Sequence, residues 1–154
     1  MSTARAVFVL AAPPLTSGAR TVNRVRLAQS ILGFQDVETV NLFPEPTLDV
    51  LHISKIGCDE ELWLSGRASI LAGLESATDV VLAYGVSEPT GAARAHHRHQ
   101  VGWLGAEIAR LQPRVWTVGD ATRHPSRWQR YTNIAFPSLP FREALSQSLR
   151  SSDA

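Results

Sequence analysis

Short segments that are apolar throughout alternate in this chain with segments whose apolar residues recur at helical spacing. Residues 6–11 (AVFVLA) are the first apolar segment, and the helical pattern that follows is marked by Val22, Val25, Ala28 and Leu32. Strands that are apolar on both faces are typical of parallel sheets that helices cover on both sides. The alternation therefore predicts an α/β protein with a doubly wound sheet.

Proline and glycine residues set the ends of the predicted elements. Pro13 and Pro14 stop the first strand, because a central strand does not tolerate proline, and Gly85 ends the third. Gly33 closes the first helix, and Asp59 is suited to cap a later one. The predicted strands are residues 6–11, 37–43, 79–84 and 114–118, and an amphipathic helix is predicted over residues 141–149. Together they predict a three-layer α/β/α arrangement, a single domain over residues 1–154, with a four-stranded, mostly parallel central sheet.

The composition excludes several classes of protein. Apolar residues make up 44% of the 154 residues and charged residues 19%, which fits a globular chain and not a disordered one. No segment approaches the roughly 18 apolar residues that cross a bilayer. The single cysteine, Cys58, cannot form an internal disulfide. We therefore expect a cytoplasmic protein without a membrane partner, and the oligomeric state stays open.

Polar residues and helix breakers collect where the predicted strands end. The carboxyl ends of parallel strands share one edge of a sheet, and ligands bind beyond that edge. The catalytic candidates at this edge are Asn41, Asp120 and His124. The substrate-binding candidates are Pro13, Thr16, Ser17, Phe43, Tyr84, Gly85, Arg123 and Ser126.

Asn41 and His124 carry the most specific chemistry of this set. The Asn41 side chain offers a donor and an acceptor together, which match the amide edge of a nucleobase. Alternatively, the Asn41 amide has a structural role and holds the next loop in place through hydrogen bonds. Pro125 favours an extended backbone at His124, which presents the imidazole ring beyond the strand. The sequence leaves open whether His124 is structural or functional.

Basic and aromatic residues alternate after His124, at Arg127, Trp128, Arg130 and Tyr131. Proteins that bind nucleic acids use this mixture for stacking and phosphate contact, so Arg127, Trp128 and Arg130 are candidates for nucleic-acid contact. A tryptophan that anchors the loop to the body of the protein is the alternative at position 128.

The chain predicts neither a metal site nor a cofactor. Among His96, His97 and His99, only the first and last share a helical face, and no other Cys or His cluster completes a tetrahedral set. A solvated basic helix start, with Arg94 and Arg98 near phosphate, explains this cluster better. Glycine-rich phosphate motifs and the G-x-S-x-G nucleophile motif are absent from the sequence.

The order of these segments resembles a small bacterial family that is known as a domain of unknown function. That family has an N-P-S-T-A-D-like turn after its first strand, then D-P-T-x-R-R, V-N-L-F, V-x-A-W-G and G-x-T-x-x-G-x-P-R-H-P-L. The corresponding segments here are residues 12–16 (APPLT), 21–24 (TVNR), 40–43 (VNLF), 82–85 (LAYG) and 119–125 (GDATRHP). The resemblance spans about residues 6–131.

This pattern resembles, more distantly, the uracil-DNA glycosylase superfamily. Its members carry a proline-containing motif after strand one, an Asn that reads the base and an H-P-S motif near the C-terminus. The resemblance implies that Asn41 reads the base, that His124 stabilises charge on the departing base and that Pro125 and Ser126 shape the loop that meets DNA. It also implies a wedge side chain at Trp128. The implied activity is cleavage of the N-glycosidic bond of a nucleobase in DNA, a nucleotide or a nucleoside.

The first motif, residues 12–16, differs from the family pattern, and this difference leaves a non-catalytic function as an alternative. The motif has neither the Asn of the bacterial family nor the Asp that activates water in many glycosylases. Asp120, Asp49 and Glu45 are possible substitutes, but none of them occupies the matching position. A non-catalytic module that binds nucleic acid or nucleotide fits this loss.

Two further alternatives follow from other segments. Residues 7–13 (VFVLAAP) resemble the start of nucleoside deoxyribosyltransferases, whose catalytic glutamate would correspond to Glu88 or Glu107. A scaffold that binds a protein partner through Trp103 or Trp128 is the last alternative.

Overall fold

The structure is a computed structural model that describes residues 3–152. Residues 1, 2, 153 and 154, the ends of the predicted domain, lie outside this range. The strands are β1 (Arg5–Leu10), β2 (Asp36–Asn41), β3 (Asp79–Leu82), β4 (Arg114–Val118) and β5 (Leu149–Ser152). The helices are α1 (Ala19–Leu32), α2 (Val50–Ile56), α3 (Glu60–Ser65), α4 (Arg67–Ser76), α5 (Ala92–Leu111), α6 (Trp128–Ala135) and α7 (Phe141–Ser148), with a 3-10 helix at Pro125–Arg127.

The strands form one mixed sheet in the order β2-β1-β3-β4-β5. β1 to β4 are parallel, whereas β5 runs antiparallel to β4, with Leu149 opposite Val118. The predicted α/β class is confirmed, but the prediction of four strands was wrong because β5 adds an edge strand. The predicted helix over residues 141–149 ends at Ser148, and the chain then turns into β5.

Helices cover both faces of the sheet, each over its own apolar cluster. α1, α6 and α7 lie on one face, the α1 side, and α2 to α5 lie on the other, the α5 side. In β1, Phe8 points to the α1 side, while Val7 and Val9 point to the α5 side, and all three are at most 1% exposed. A strand buried on both faces is apolar throughout, as residues 6–11 are.

Local sequence signals explain where several helices begin and end. Gly33 has a φ of 74° and closes α1, and the Asp59 carboxylate accepts a hydrogen bond from the Glu61 backbone N–H at 3.0 Å at the start of α3. Gly66 does more than weaken the helix predicted after Asp59, because the helix divides there into α3 and α4. Within residues 3–152, no helix has the length and apolar character needed to cross a membrane.

The sheet order creates a crevice at its carboxyl edge. The connection after β1 leads to one neighbour, β2, and the chain later returns on the other side of β1 as β3. In open α/β sheets, ligands bind where neighbouring connections diverge in this way. The ends of β1 and β3 are therefore the position at which the fold itself favours a site.

Candidate active site

The loop after β4 is held firmly against the protein. Gly119 has a φ of 72°, which favours glycine, and a Cβ at this position would collide with the Tyr131 hydroxyl. The Arg123 guanidinium lies 3.9 Å from the centroid of the Tyr131 ring and donates to the Val118 carbonyl at 3.1 Å. Trp128 is fully buried, and its indole Nε1 donates to the Arg123 carbonyl at 2.9 Å. The prediction that Trp128 contacts nucleic acid was wrong, because this side chain anchors the loop.

His124 lies over the end of β3 on the α1 side. The Gly85 backbone N–H donates to the Thr122 carbonyl at 2.6 Å, and the Thr122 hydroxyl donates to the Gly85 carbonyl at 2.8 Å, which joins the two strand ends. A Cβ built on Gly85 would lie 3.9 Å from the His124 Cβ. From the other side, Arg24 of α1 donates to the Pro125 carbonyl at 2.7 Å. Three elements therefore fix the position of this histidine.

The surroundings of His124 define the state of its imidazole. Its backbone is extended, with φ −66° and ψ 145°, as Pro125 predicts. Burial, and then the positive charges of Arg127 and Arg24, lower the pKa of His124 below its ordinary value of 6.5, so the ring is neutral at pH 7. Nδ1 accepts a hydrogen bond from the Ser126 backbone N–H at 3.2 Å. Because a backbone N–H can only donate, the ring proton is on Nε2. His124 thus presents a neutral N–H donor.

Asn41 ends β2 with an unsatisfied side chain. Its Oδ1 is buried and has no hydrogen-bond partner among residues 3–152. A buried acceptor left in this state costs about 1–3 kcal/mol. Side chains alternate along a strand, so Asn41 points to the same side as Val37, which packs on the α1-side cluster. The amide therefore lies on the face that also carries His124.

The fold brings Asn41 and His124 to the two flanks of the crevice. Asn41 is paired with Leu10 at the end of β1, and β1 separates β2 from β3. Two strand spacings make the distance between β2 and β3 about 10 Å. Asn41 and His124 therefore lie on the same side of the sheet, at the ends of the two strands that flank β1.

Asp120 does not join this pair. Its carboxylate is 80% exposed and accepts a hydrogen bond from the Arg123 guanidinium at 3.1 Å. That hydrogen bond is the main reason that the pKa of Asp120 is lowered, and Arg150 of β5 adds to it. A carboxylate with a lowered pKa is a weaker base, and it lies towards the β5 edge of the sheet. The predicted catalytic role of Asp120 therefore has no support in its position.

The residues predicted to bind substrate in the first loop shape the loop itself. The Pro13 carbonyl accepts from the Thr47 backbone N–H at 2.9 Å, which joins the loops after β1 and β2. The Thr16 and Ser17 hydroxyls are exposed, and each accepts a weak hydrogen bond of 3.4 Å from the backbone N–H two residues on, at Gly18 and Ala19. All three lie at the carboxyl edge, as predicted.

Phe43 and Tyr84 belong to the opposite side of the sheet. Phe43 is fully buried in the α5-side cluster, and its ring centroid lies 4.8 Å from that of Trp63. The prediction that Phe43 binds substrate was wrong, because no surface of this ring is accessible. Tyr84 also packs on the α5-side cluster and so is separated from His124 by the sheet.

Two open clefts flank the edge. The α1–α6 cleft has a volume of about 620 Å³ and is lined by Arg20, Arg24, Ser126, Gln129, Arg130, Asn133 and Ile134. The α5 cleft has a volume of about 410 Å³ and is lined by Tyr84, Gly85, Val86, Glu88, His97, Arg98, Val101, Ala121 and Thr122. Ser126, predicted to bind substrate, and Arg130, predicted to contact nucleic acid, line the same cleft.

Sequence reasoning missed Arg20 and Arg24 of α1. A signal was present, since two arginines four residues apart lie on one face of a helix. Their relation to His124 depends on how α1 packs against the loop after β4, which no local pattern reveals. Residues 3–152 also contain no group of three or more His, Cys, Asp or Glu side chains that could hold a metal ion.

Comparison of the chain with protein-family models, with curated proteins and with solved structures finds no match.

Proposed function

We propose that this protein is a hydrolase that cleaves the N-glycosidic bond of a nucleobase in DNA, a nucleotide or a nucleoside. The proposal is supported by an unsatisfied amide acceptor at Asn41 and a neutral N–H donor at His124, two residues at the carboxyl edge on the α1 side of the sheet. Asn41 Oδ1 has no hydrogen-bond partner within residues 3–152, whereas the His124 ring caps the 3-10 helix through Nδ1 and keeps its Nε2–H for a ligand.

The chemistry of the reaction suits these two side chains. When the bond between the base nitrogen and the sugar C1′ breaks, the electron pair stays with the base, and a water oxygen bonds to C1′ and loses a proton. The His124 Nε2–H would donate to a base carbonyl oxygen as negative charge develops there. One such donor changes the rate by about 100- to 1000-fold. Asn41 would hold the amide edge of the same base through its donor and acceptor.

The finer assignment of the fold belongs to the same proposal. The parallel strands in the order β2-β1-β3-β4, the Asn at the end of β2 and the H-P-S segment after β4 support a uracil-DNA glycosylase-like arrangement. The first loop, residues 11–18, contains no carboxylate that could activate water. The proposal therefore assigns His124 to the leaving group and leaves the water without an assigned base. We also propose a cytoplasmic location, since Cys58 is a free thiol.

Base release is the direct test. Purified protein is incubated with uracil-containing DNA, DNA with modified bases, nucleosides and nucleotides, and free base is measured by chromatography. We expect release from at least one substrate, and its loss in His124→Ala. No release from any of them would contradict the proposal.

A non-catalytic nucleic-acid or nucleotide binding module is the second candidate, and the missing carboxylate in the first loop favours it. It predicts binding without product, and product formation that depends on His124 would exclude it. A deoxyribosyltransferase has weaker support, because Glu88 and Glu107 are engaged in ion pairs with Arg98 and Arg110. Base exchange between two nucleosides would reveal that activity.

A further inference from the structure

The arginines of this protein differ in whether a carboxylate neutralises them. On the α5 side, Glu88 pairs with Arg98 at 2.7 Å and with Arg94 at 3.9 Å, and Glu107 pairs with Arg110 at 2.6 Å. The three arginines that line the α1–α6 cleft, Arg20, Arg24 and Arg130, form no ion pair with any carboxylate of residues 3–152. A net charge of only +1 therefore conceals a local concentration of positive charge.

The cleft holds these charges close together. Arg20 and Arg24 are one helical turn apart on α1, so their side chains emerge about 6 Å apart along the helix axis. Arg24 is held in place by its bonds to the Pro125 carbonyl at 2.7 Å and the Gln129 side-chain oxygen at 3.0 Å. Burial, and then the charge of Arg20, lower the pKa of Arg24. Like charges kept together without a carboxylate make a site that attracts anions.

The remaining groups of the cleft suit phosphate oxygens. Gln129 and Asn133 supply amide donors beside the guanidinium groups, and none of the described residues that line the cleft is acidic. Ser126 is two residues from His124 and bonds to its Nδ1. The cleft thus begins at the candidate active site and extends between α1 and α6.

We propose that the α1–α6 cleft binds the phosphodiester backbone of a nucleic-acid strand whose target nucleotide lies at His124. This inference rests on the proposed function, which identifies the target as the nucleotide whose base is cleaved. It narrows the substrate to a polymer, because Arg20 and Arg130 belong to two different helices of the cleft and can each contact a separate phosphate along one strand. The side chains expected to contact phosphate are Arg20 and Arg130, which are exposed.

The test compares two double variants that change the net charge equally. Arg20→Ala with Arg130→Ala removes the two exposed arginines of the α1–α6 cleft and keeps Arg24, and Arg94→Ala with Arg98→Ala removes the arginines that Glu88 neutralises. Binding of a labelled oligonucleotide is followed by fluorescence anisotropy over a range of salt concentrations, as single-stranded DNA, duplex DNA and RNA. Each phosphate contact contributes about 0.7 to the salt slope for a single strand and about 0.9 for a duplex. We expect the first variant to lower the slope by about 1.4 to 1.8 and the second to leave it unchanged.

Equal effects of the two variants, or none, would overturn the inference. Competition by a mononucleotide as effective as that by an oligonucleotide would also overturn it, because it would indicate a single-anion site. Melting curves check that both variants are folded, which substitutions of exposed side chains should preserve. Base release from a free nucleotide, measured on the same variants, separates the two proposals. If binding depends on the cleft but no substrate releases base, the proposed function fails and the cleft assignment stands.

Discussion

The two sides of the sheet differ in how a buried side-chain amide near the carboxyl edge is hydrogen-bonded. Gln100 on the α5 side is fully buried, and its amide donates to the Leu42 and Trp63 carbonyls at 2.9 Å and accepts from Arg67 at 2.8 Å. Asn41 on the α1 side has a buried acceptor with no partner in residues 3–152. The first amide completes a core, whereas the second leaves a buried acceptor without a partner.

Two of the half-buried histidines, His97 and His124, show the same contrast. Burial is the main cause that lowers the pKa of both His97 and His124. His97 lies among rings, with centroids 6.1 Å from Trp63 and 6.4 Å from Tyr84, and close to the Glu88 carboxylate. The ring of His124 is oriented instead by a backbone N–H. A low pKa alone therefore does not distinguish the candidate site, and the hydrogen bond from the Ser126 backbone to the His124 ring does.

The largest effect is expected from the two buried tryptophans, one on each side. Trp128→Ala and Trp63→Ala should each lower the free energy of unfolding by about 3–5 kcal/mol, because each leaves a cavity in a core. Chemical denaturation measures both. The phenylalanine variants separate the sides: Trp128→Phe loses the bond to the Arg123 carbonyl and should slow base release, while Trp63→Phe should not. If both phenylalanine variants release base equally slowly, the position of the loop after β4 does not depend on the hydrogen bond of Trp128.

Replacing His124 or His97 by alanine should show which of the two sides of the sheet carries the activity. His124→Ala is expected to reduce base release by about 100- to 1000-fold, since it removes the donor to the departing base. His97→Ala removes a ring of similar burial from the α5 cleft and should change the rate by less than about threefold. Initial rates at saturating substrate test this. A larger loss in His97→Ala would move the candidate site to the α5 cleft.

Replacing the two amide side chains by alanine should change the unfolding free energy of the protein by different amounts. Gln100→Ala leaves two buried carbonyls without their donor and is expected to cost about 1–3 kcal/mol of unfolding free energy. Asn41→Ala removes a buried acceptor that has no partner, so its unfolding free energy should equal or exceed that of the wild type while base release falls. Urea denaturation and the release assay, run on the same samples, measure both quantities. A loss in Asn41→Ala as large as in Gln100→Ala would mean that this amide is structural.

The smallest effect concerns pH. Because the folded-state pKa of both histidines lies below the unfolded value of about 6.5, the unfolded chain binds more protons as the pH falls. The stabilisation from a neutral ring is therefore complete above about pH 6.5 and is lost as the pH falls through the folded-state value. Unfolding free energies between about pH 7.5 and 5.5 should decline, and His124→Ala should decline less. An identical decline would show that His124 is not the group that titrates.

The sequence was sufficient to predict the four parallel strands and the residues at their carboxyl edge. It was not sufficient to predict which of those side chains are buried and on which side of the sheet they lie. Four parallel strands and the helix ends at Gly33 and Asp59 follow from local patterns. β5 does not, because the segment LRSS has no strand pattern and is a strand only through its pairing with β4. Phe43 and Trp128 were placed correctly along the chain. Their burial depends on packing partners far away in sequence, which a local pattern does not contain.

The central claim is that Asn41 and His124 contact the same bound base. A crystal structure of the protein soaked with uracil, and in turn with the other free bases, tests it most directly. We expect one base beyond the end of β1, with the His124 Nε2 and an atom of the Asn41 amide each about 2.7–3.2 Å from polar atoms of its ring. Bases that bind only between Tyr84 and His97, or that leave Asn41 without contact, would contradict the account.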